Sequence, residues 1–272
     1  MIKIISTDLD GTLMSTDHLT VTDRTLSALK QAHDRGVKLA IATGRPMVLI
    51  DNVIEQVPFV DYVIYANGAG VFDRNENRQI YSDLIPNDKA RELISYFLDK
   101  EVFFEVYVDG RSICQAGLDK YFDRGEFPQE FIDEAINSMD ACESLLDYLE
   151  NKDVEKITLY SVKDEYYDDF IKKMKSYGLT TAISFSGCLE GTSPTANKGN
   201  ALKGICDALG LSPDEAMSFG DAGNDVPMLE YAEYSFAMGN ASEECKRSAK
   251  FITDSNANDG VAVAVEKYVL NN

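Results

Sequence analysis

The chain has 272 residues, 44% of them hydrophobic and 26% charged, so it has enough apolar material for the core of a globular protein. Its formal net charge is −20 at pH 7, which argues against a nucleic-acid-binding surface and against attachment to an anionic membrane. We therefore expect neither nucleic acid nor membrane as a partner.

The first eighty residues alternate between predicted strands and helices. Three short apolar runs are predicted to be strands: 2–6, 37–42 and 61–66. A helix is predicted between the first two strands, with Thr22 as its N-cap and Gly36 at its end, and Pro46 is expected in the first turn of a second helix. Continuous apolar strands separated by helices indicate a parallel sheet with helices on both faces.

The middle of the chain follows a different pattern. An amphipathic helix is predicted over 86–98, followed by a hairpin over 102–116 that turns at Asp109-Gly110. The later predicted elements are two short helical stretches up to about residue 151, a strand over 154–162, a helix ending at Gly178 and a strand over 181–186. This mixture indicates an α+β block inserted into an α/β core.

The end of the chain returns to the first pattern. The predicted elements are a helix over 198–209, a strand over 216–219, a helix over 225–231, a strand over 235–238 and a helix over 261–270. The expected fold is α/β: a Rossmann-like parallel sheet with helices on both faces, plus the inserted α+β domain. We expect the core to comprise 1–83 and 190–272, and the inserted domain to comprise 84–189.

Two further features bear on location. No run approaches the ~18 apolar residues of a membrane span, and the chain begins with a strand, so neither a membrane span nor a signal peptide is predicted. The five cysteines are odd in number, widely spaced and without a C-x-x-C pair, which is typical of reduced thiols. We expect a cytoplasmic protein, and the sequence leaves its oligomeric state open between monomer and weak dimer.

Polar residues follow several predicted strands and begin one predicted helix. Asp8 and Asp10 follow the first strand, Thr43 follows the second, and Asp221 follows a strand near the end of the chain. Lys198 begins a helix. Ligands of open parallel sheets bind outside the carboxyl ends of the strands, so these side chains are expected to converge.

The residue types suit a phosphate group and a hard cation together. In a regular strand Asp8 and Asp10 would point the same way, and Asp221, with Asp225 as a further candidate, would complete an oxygen-rich pocket of the kind that binds Mg²⁺. A hydroxyl from Thr43, a positive charge from Lys198 and free N–H groups at glycine-rich turns favour phosphate.

Each of these pieces alone has a plainer interpretation. A lone Asp-x-Asp-Gly is often a turn, and Lys198 alone would be a solvated lysine at a helix start. An EF-hand is excluded because position 12 is threonine and the closing glutamate is absent. The four pieces in this order, each at its proper place on the sheet, favour the phosphate interpretation.

The full set of motifs resembles the haloacid dehalogenase-like superfamily of phosphohydrolases, in its Cof-type branch. The motifs are DLDGTL at 8–13, TGR at 43–45, Lys198-Gly199 and GDAGNDVPML at 220–229, followed by AMGNA at 237–241 and DGVA at 259–262. The resemblance implies a phosphatase that acts on small phosphorylated metabolites, sugar phosphates first among them. It also implies that the inserted domain is a cap that selects the leaving group.

The resemblance implies a role for each motif residue. Asp8 would be the nucleophile that forms an aspartyl-phosphate, and Asp10 the general acid for the leaving alcohol and then the base for water. Mg²⁺ would be held by the carboxylates of Asp8 and Asp221 and by the backbone carbonyl of Asp10. The residues implied to contact phosphate are Leu9 through its N–H, Thr43, Gly44, Lys198 and Asn224. Asp225 would support the metal's water or Lys198.

Some points stay open at the level of sequence. Arg45 could bind phosphate or pair with a nearby acid. The stretch 190–197 lacks the isoleucine and the Gly-Val that are usual before the lysine of the family, which leaves its loop shape open. A phosphotransferase or phosphomutase with the same chemistry, and a non-catalytic sensor of phosphorylated ligands, are the alternative functions.

Overall fold

The computed structural model describes residues 1–122, 139–185 and 187–271. The chain divides into two compact units. The first comprises Met1–Arg45, Ile50–Ser82 and Asn197–Asn272, and the second comprises Pro46–Leu49 and Asp83–Ala196.

The strands are short, and most are buried. Up to residue 115 they are β1 (Ile4–Thr7), β2 (Lys38–Ala42), β3 (Tyr62–Tyr65), β4 (Gly70–Asp73), β5 (Arg78–Ser82), β6 (Phe103–Val108) and β7 (Arg111–Gln115). The later strands are β8 (Asp140–Cys142), β9 (Lys156–Tyr160), β10 (Thr180–Phe185), β11 (Cys188–Thr192), β12 (Ala216–Gly220), β13 (Tyr234–Ala237) and β14 (Phe251–Ile252).

The α-helices of the described residues lie between these strands. They are α1 (Asp23–Asp34), α2 (Asp51–Gln56), α3 (Asn87–Leu98), α4 (Leu145–Tyr148), α5 (Asp164–Ser176), α6 (Lys198–Leu209), α7 (Val226–Tyr231), α8 (Glu243–Ser248) and α9 (Gly260–Val265). In these ranges, no helix has the length and apolar character needed to cross a lipid bilayer.

The first unit is built on one sheet with strand order β14-β13-β12-β1-β2-β3-β4-β5. The pairs from β14 to β3 are parallel, whereas β3–β4 and β4–β5 are antiparallel. Chain order runs outward from β1 on one side and outward from β12 on the other. The sheet therefore has its topological switch point between β1 and β12, which is the place where open α/β sheets bind ligands.

Helices cover both faces of this sheet, as the sequence predicts. Side chains alternate between the faces, so Ile4 of β1 packs with Leu202 and Ile205 of α6 in one buried cluster. The alternate residue Ile5 is also buried but faces the other way, toward the side on which α1 contacts β2 and α9. The fold is therefore α/β with a mainly parallel, doubly covered sheet.

Helix ends follow the local rules used in the predictions. The Thr22 side chain accepts a hydrogen bond from the backbone N–H of Thr25 and begins α1. Gly210 ends α6 in the left-handed conformation, at φ 67°. The prediction for Pro46 is wrong in detail, because a 3₁₀ turn at Met47–Leu49 follows it and α2 begins at Asp51.

The second unit contains a separate sheet with strand order β10-β11-β9-β6-β7-β8. Its β6–β7 hairpin turns at Asp109 and Gly110, both with positive φ, as expected for a type I′ turn. The sequence-based border at 189/190 falls inside β11, and the compact unit continues to Ala196. Of the two short helical stretches predicted before residue 151, α4 is seen, and the part over 123–138 lies outside the described residues.

A buried polar network lies on one face of the second sheet. The carboxylate of Glu105 accepts hydrogen bonds from the hydroxyls of Tyr107, at 3.1 Å, and of Ser112 and Tyr160. Burial raises the pKa of Glu105, and the three hydroxyls oppose that shift by stabilising the charged form. Their hydrogen bonds satisfy the carboxylate within the unit.

Candidate active site

The predicted motif residues lie at the carboxyl ends of the central strands of the first unit's sheet. β12, β1 and β2 are adjacent parallel strands, so their carboxyl ends lie side by side. Asp8 follows β1, Thr43 follows β2 and Asp221 follows β12, and Lys198 is the first residue of α6. The residues thus surround the switch point between β1 and β12.

The segment after β1 forms a wide turn. The strand ends at Thr7, and the backbone N–H of Leu13 donates to the carbonyl oxygen of Asp8 at 3.2 Å. A bond across five residues is the pattern of a π-helical turn, which is frequent at functional sites. The regular strand on which the prediction for Asp8 and Asp10 was based does not extend to these residues, because β1 ends at Thr7.

Gly11 lets this turn approach the neighbouring strand end. Its φ is +81°, and a Cβ atom at this position would lie 2.5 Å from Oδ2 of Asp221. The hydroxyl of Thr12 donates to Oδ1 of Asp221 at 2.9 Å, and the amide of Asn240 donates to the Gly11 carbonyl at 2.8 Å. The turn is therefore held by one hydrogen bond to Asp221 and by another to Asn240.

Gly11→Ala is expected to lower kcat/KM for a phosphate ester by about 10²-fold, because the added methyl group must displace the Asp221 carboxylate. The matched control is Gly36→Ala, where φ is +88° and a Cβ would meet no atom within 4 Å. Both variants carry a backbone strain of about 1–2 kcal/mol. Thermal unfolding should show a loss of stability in both variants, and steady-state kinetics should show a loss of activity only in Gly11→Ala. Equal activities would contradict the view that catalysis depends on the close approach of Gly11 to Asp221.

Lys198 is at the centre of the site. Its side chain is fully buried, and its Nζ lies 2.6 Å from Oδ1 of Asp8 and 2.6 Å from Oδ1 of Asp225. The other oxygen of Asp225 accepts the backbone N–H groups of Asp221 and Ala222, at 2.9 Å and 3.0 Å. Asp225 thus ties the lysine to the turn that carries Asp221, and the view of Lys198 as a solvated surface lysine is excluded.

The electrostatics of the cluster leave negative charge uncompensated. Burial raises the pKa of Asp8 well above its usual value, repulsion from Asp225 raises it further, and Lys198 only partly reverses this. Burial and Asp225 likewise raise the pKa of Asp221 to about 6, against the hydrogen bond from Thr12. Burial lowers the pKa of Lys198, but its two carboxylates outweigh this and raise it above the usual value.

The carboxylates form a suitable group for a hard cation. Of the acidic side chains in the described ranges, Asp8, Asp221 and Asp225 each place one oxygen within 4.8 Å of the others. Three carboxylates against one ammonium group leave an excess of negative charge, and oxygen ligands are those that Mg²⁺ prefers. Asp10 has its carboxylate outside this group, so its predicted part in metal binding rests on its backbone carbonyl.

Arg45 pairs with Asp10. Its Nε and Nη2 donate to the two carboxylate oxygens of Asp10, at 3.0 Å and 2.6 Å. Nδ1 of His18 lies 3.6 Å from the same carboxylate. The sequence left two roles open for Arg45, and in the structure Arg45 is paired with an acid.

The predicted phosphate ligands lie around the same strand ends. Thr43 and Leu9 are buried, and the Thr43 hydroxyl accepts the backbone N–H of Arg45 at 3.1 Å. Asn224 donates to Oδ1 of Asn67 at 3.0 Å, and a Cβ on Gly44 would lie 2.9 Å from that same Oδ1. The side-chain oxygen of Asn67 therefore lies beside two of the predicted phosphate ligands, Asn224 and Gly44.

The sequence predictions did not include three of the residues that shape the site. Thr12 and Asn240 hold the turn after β1, and Asn67 orients Asn224. Thr12 and Asn240 belong to motifs that had been recognised. For Asn67 a signal existed in the Asn-Gly pair one residue after β3, since asparagine and glycine tolerate the positive φ seen there, 57° for Asn67.

Comparisons with known proteins agree on one family. Residues 5–265 match the family described as haloacid dehalogenase-like hydrolases. A Streptococcus pyogenes serotype M6 protein with a provisional phosphatase name, M6_Spy0533, is 31% identical over 99% of both chains. The Bacillus subtilis 5-amino-6-(5-phospho-D-ribitylamino)uracil phosphatase YcsE is 28% identical over 99% of this chain and 96% of its own.

A solved structure extends the similarity to the fold. The sugar phosphatase BT4131, described as a member of HAD subclass IIB, superposes with a TM-score of 0.79 at 25% identity, over 98% of each chain. The similarity therefore spans both compact units of the chain.

Proposed function

The chain belongs to the haloacid dehalogenase-like hydrolases and is a phosphatase of that family, and we propose that it hydrolyses small phosphomonoesters through a phosphorylated Asp8 with Mg²⁺ as cofactor. The observation that carries the proposal is the buried contact of Lys198 with Asp8, beside the carboxylates of Asp221 and Asp225. A single ammonium group among three carboxylates suits a site that is completed by a cation and an anionic substrate.

The proposed reaction has two steps. An oxygen of Asp8 forms a bond to phosphorus while the ester bond breaks, and Asp10 gives its proton to the departing alcohol oxygen. Water then forms the new bond to phosphorus, the bond to Asp8 breaks, and the carboxylate of Asp10 takes a proton from that water. Asp8 and Asp10 both return to their starting states.

The remaining residues bind and orient the phosphate. Lys198 fixes the Asp8 oxygen that it contacts and supplies positive charge to the phosphate oxygens. The other proposed phosphate contacts are the backbone N–H of Leu9, the Thr43 hydroxyl, the backbone at Gly44 and the amide of Asn224. The hydrogen bond to Asn67 orients that amide.

Asp8, Asp221 and the backbone carbonyl of Asp10 are the residues that would hold Mg²⁺. The ion would neutralise charge on the transferring phosphoryl group and offset the repulsion between the carboxylates. Asp225 contacts both Lys198 and the backbone of Asp221, which suits a supporting role.

The substrate class rests on the relatives. YcsE is named for a phosphoribityl substrate and BT4131 is described as a sugar phosphatase, so we propose a small phosphorylated metabolite, with sugar phosphates or similar compounds first. We propose that the second unit, with 84–189 as its predicted extent, acts as the cap that selects the leaving group. A cytoplasmic location is part of the proposal and rests on the number and spacing of the cysteines.

The test is phosphate release from 4-nitrophenyl phosphate and from a panel of sugar phosphates, with Mg²⁺ and with EDTA. We expect release with Mg²⁺, its loss with EDTA, and recovery on adding back Mg²⁺ in excess. Activity unaffected by EDTA would contradict the assigned cofactor, and no release from any substrate would contradict the function. Adding acceptor alcohols distinguishes a phosphotransferase, because transfer to the acceptor would then exceed transfer to water.

A further inference from the structure

Arg45 and Asp10 form an ion pair with two hydrogen bonds beside the site. Two parallel N–H···O bonds join them, at 3.0 Å and 2.6 Å, and the side chains are 27% and 43% exposed. Such a two-bond pair fixes both the position and the plane of a carboxylate, which a single bond or a lysine does not do.

The backbone of Arg45 is itself held in place. Its N–H donates to the Thr43 hydroxyl at 3.1 Å, and its carbonyl accepts the N–H of Ala66 at 3.0 Å. The guanidinium group therefore extends from a fixed point at the end of β2 and reaches across to the turn after β1. In that turn the backbone of Asp10 is extended at φ −76°, ψ 117°, and besides Arg45 its carboxylate has Nδ1 of His18 at 3.6 Å.

We propose that Arg45 is a positioning residue that holds the Asp10 carboxyl where it exchanges protons with the leaving oxygen and with water. The inference rests on the proposed function and adds a role for a residue outside the phosphate and metal sets. A general acid must lie within hydrogen-bond reach of the oxygen it protonates, and a displacement of about 1 Å lowers the rate by about 10²-fold.

The pair is compatible with both protonation states of Asp10. The two-bond arrangement belongs to the carboxylate, which takes the proton of the attacking water. When protonated, the group keeps one oxygen as an acceptor for the guanidinium and presents the proton on its other oxygen to the leaving alcohol. Arg45 keeps its charge throughout and transfers no proton.

The test compares two leaving groups in wild type and in Arg45→Gln. The value of kcat/KM covers the steps up to departure of the leaving group, and 4-nitrophenolate departs with little need of a proton, whereas an alkoxide needs one. For the alkyl phosphate that wild type hydrolyses best, we expect kcat/KM to fall about 10²-fold. For 4-nitrophenyl phosphate we expect a fall of less than about fivefold, so the ratio of the two values changes by more than tenfold.

Two further variants complete the experiment. Arg24→Gln removes a similar two-bond pair, with Glu266 at 3.0 Å and 2.8 Å, on the exposed surface of the same unit, and should change neither value. In an Asp10→Asn background, Arg45→Gln should cause no further loss, because the two residues act as one unit.

Each other outcome overturns the inference. Equal losses of kcat/KM on both substrates would indicate that Arg45 binds the phosphate. Faster turnover of the alkyl phosphate by Arg45→Gln would indicate that the ion pair hinders proton transfer by Asp10. Additive losses of kcat/KM in the double variant would show that Arg45 acts independently of Asp10. These results would leave the proposed function standing, whereas absence of hydrolysis by wild type would overturn both.

Discussion

Asp8→Asn is expected to lower kcat/KM for phosphate esters by about 10⁴-fold or more, because an amide cannot form the bond to phosphorus that the carboxylate forms. The substitution keeps the shape of the side chain, and the amide oxygen still accepts the hydrogen bond from Lys198, which is 2.6 Å long in the structure. The loss should therefore appear in steady-state kinetics without a loss of fold.

The same substitution should stabilise the metal-free protein. The folded-state pKa of Asp8 is raised by burial and by Asp225, so its carboxylate is less stable in the folded state than in the unfolded chain. For such a group, stability falls as the pH rises from the ordinary carboxylate pKa, about 3.9, toward the raised value. Asparagine carries no charge and removes this loss, so thermal unfolding at pH 7 should occur at a higher temperature than in wild type.

Asp61→Asn provides the matched control. Asp61 is also buried, but it lies at the opposite end of the sheet's strands, where it accepts hydrogen bonds from Lys38 at 2.8 Å and from the N–H of Leu39 at 3.0 Å. We expect this variant to unfold at a lower temperature and to keep its activity. Wild-type turnover by Asp8→Asn would rule out Asp8 as the nucleophile, and a fall in its unfolding temperature would contradict the electrostatic account.

Sequence patterns predicted those elements whose ends and faces have local chemical causes. The helix 198–209 was predicted with the observed bounds, because α6 begins after Asn197, whose side chain accepts the N–H of Asn200, and ends at Gly210. The buried strands β1, β2 and β3 were predicted within one or two residues at each end, because their apolar runs end at polar motifs or turns.

Two of the strands that were not predicted, β5 and β11, lack such signals. In β5 no residue is buried, so its sequence carries neither an apolar run nor a clear alternation. In β11 Gly191 interrupts the pattern, and the strand pairs both with the adjacent β10 and with β9, which is distant in the sequence. The pairing of β11 with β9 is long-range, which local patterns do not contain, whereas β5 is the edge strand of its sheet and pairs with the neighbouring β4.

The site was predictable as a set of residues but not as a set of contacts. Motif spacing assigned Asp8, Lys198 and Asp221 to one sheet edge, since parallel strands place their ends together. The direction of the Asp10 side chain was not predictable, because it depends on a wide turn and on Arg45, a partner 35 residues away. Distances of this kind follow from the tertiary structure alone.

Lys198→Met is expected to lower the free energy of unfolding at pH 7 by about 3–5 kcal/mol, because it leaves the buried carboxylates of Asp8 and Asp225 without their shared cation. Methionine fills a similar volume, so the loss is electrostatic rather than a packing defect. Without the ammonium group, the folded-state pKa of Asp8 rises further. The destabilisation should therefore be largest near neutral pH and should shrink as the pH falls through the raised folded-state pKa of Asp8, because that carboxyl group then loses its charge in the folded state.

In Lys198→Met the activity should fall as well. The KM for phosphorylated substrates is expected to rise about 10- to 100-fold, which corresponds to the ~1.5–3 kcal/mol of a hydrogen bond to a charged group. Lys38→Met is the control: it removes the lysine paired with Asp61, 2.8 Å away, and should lower stability while leaving KM unchanged. Urea unfolding between pH 4.5 and 8 with parallel kinetics tests both effects; an unchanged KM and kcat in Lys198→Met would remove this lysine from the phosphate site. A stability loss independent of pH would show that its ammonium group does not balance the carboxylate of Asp8.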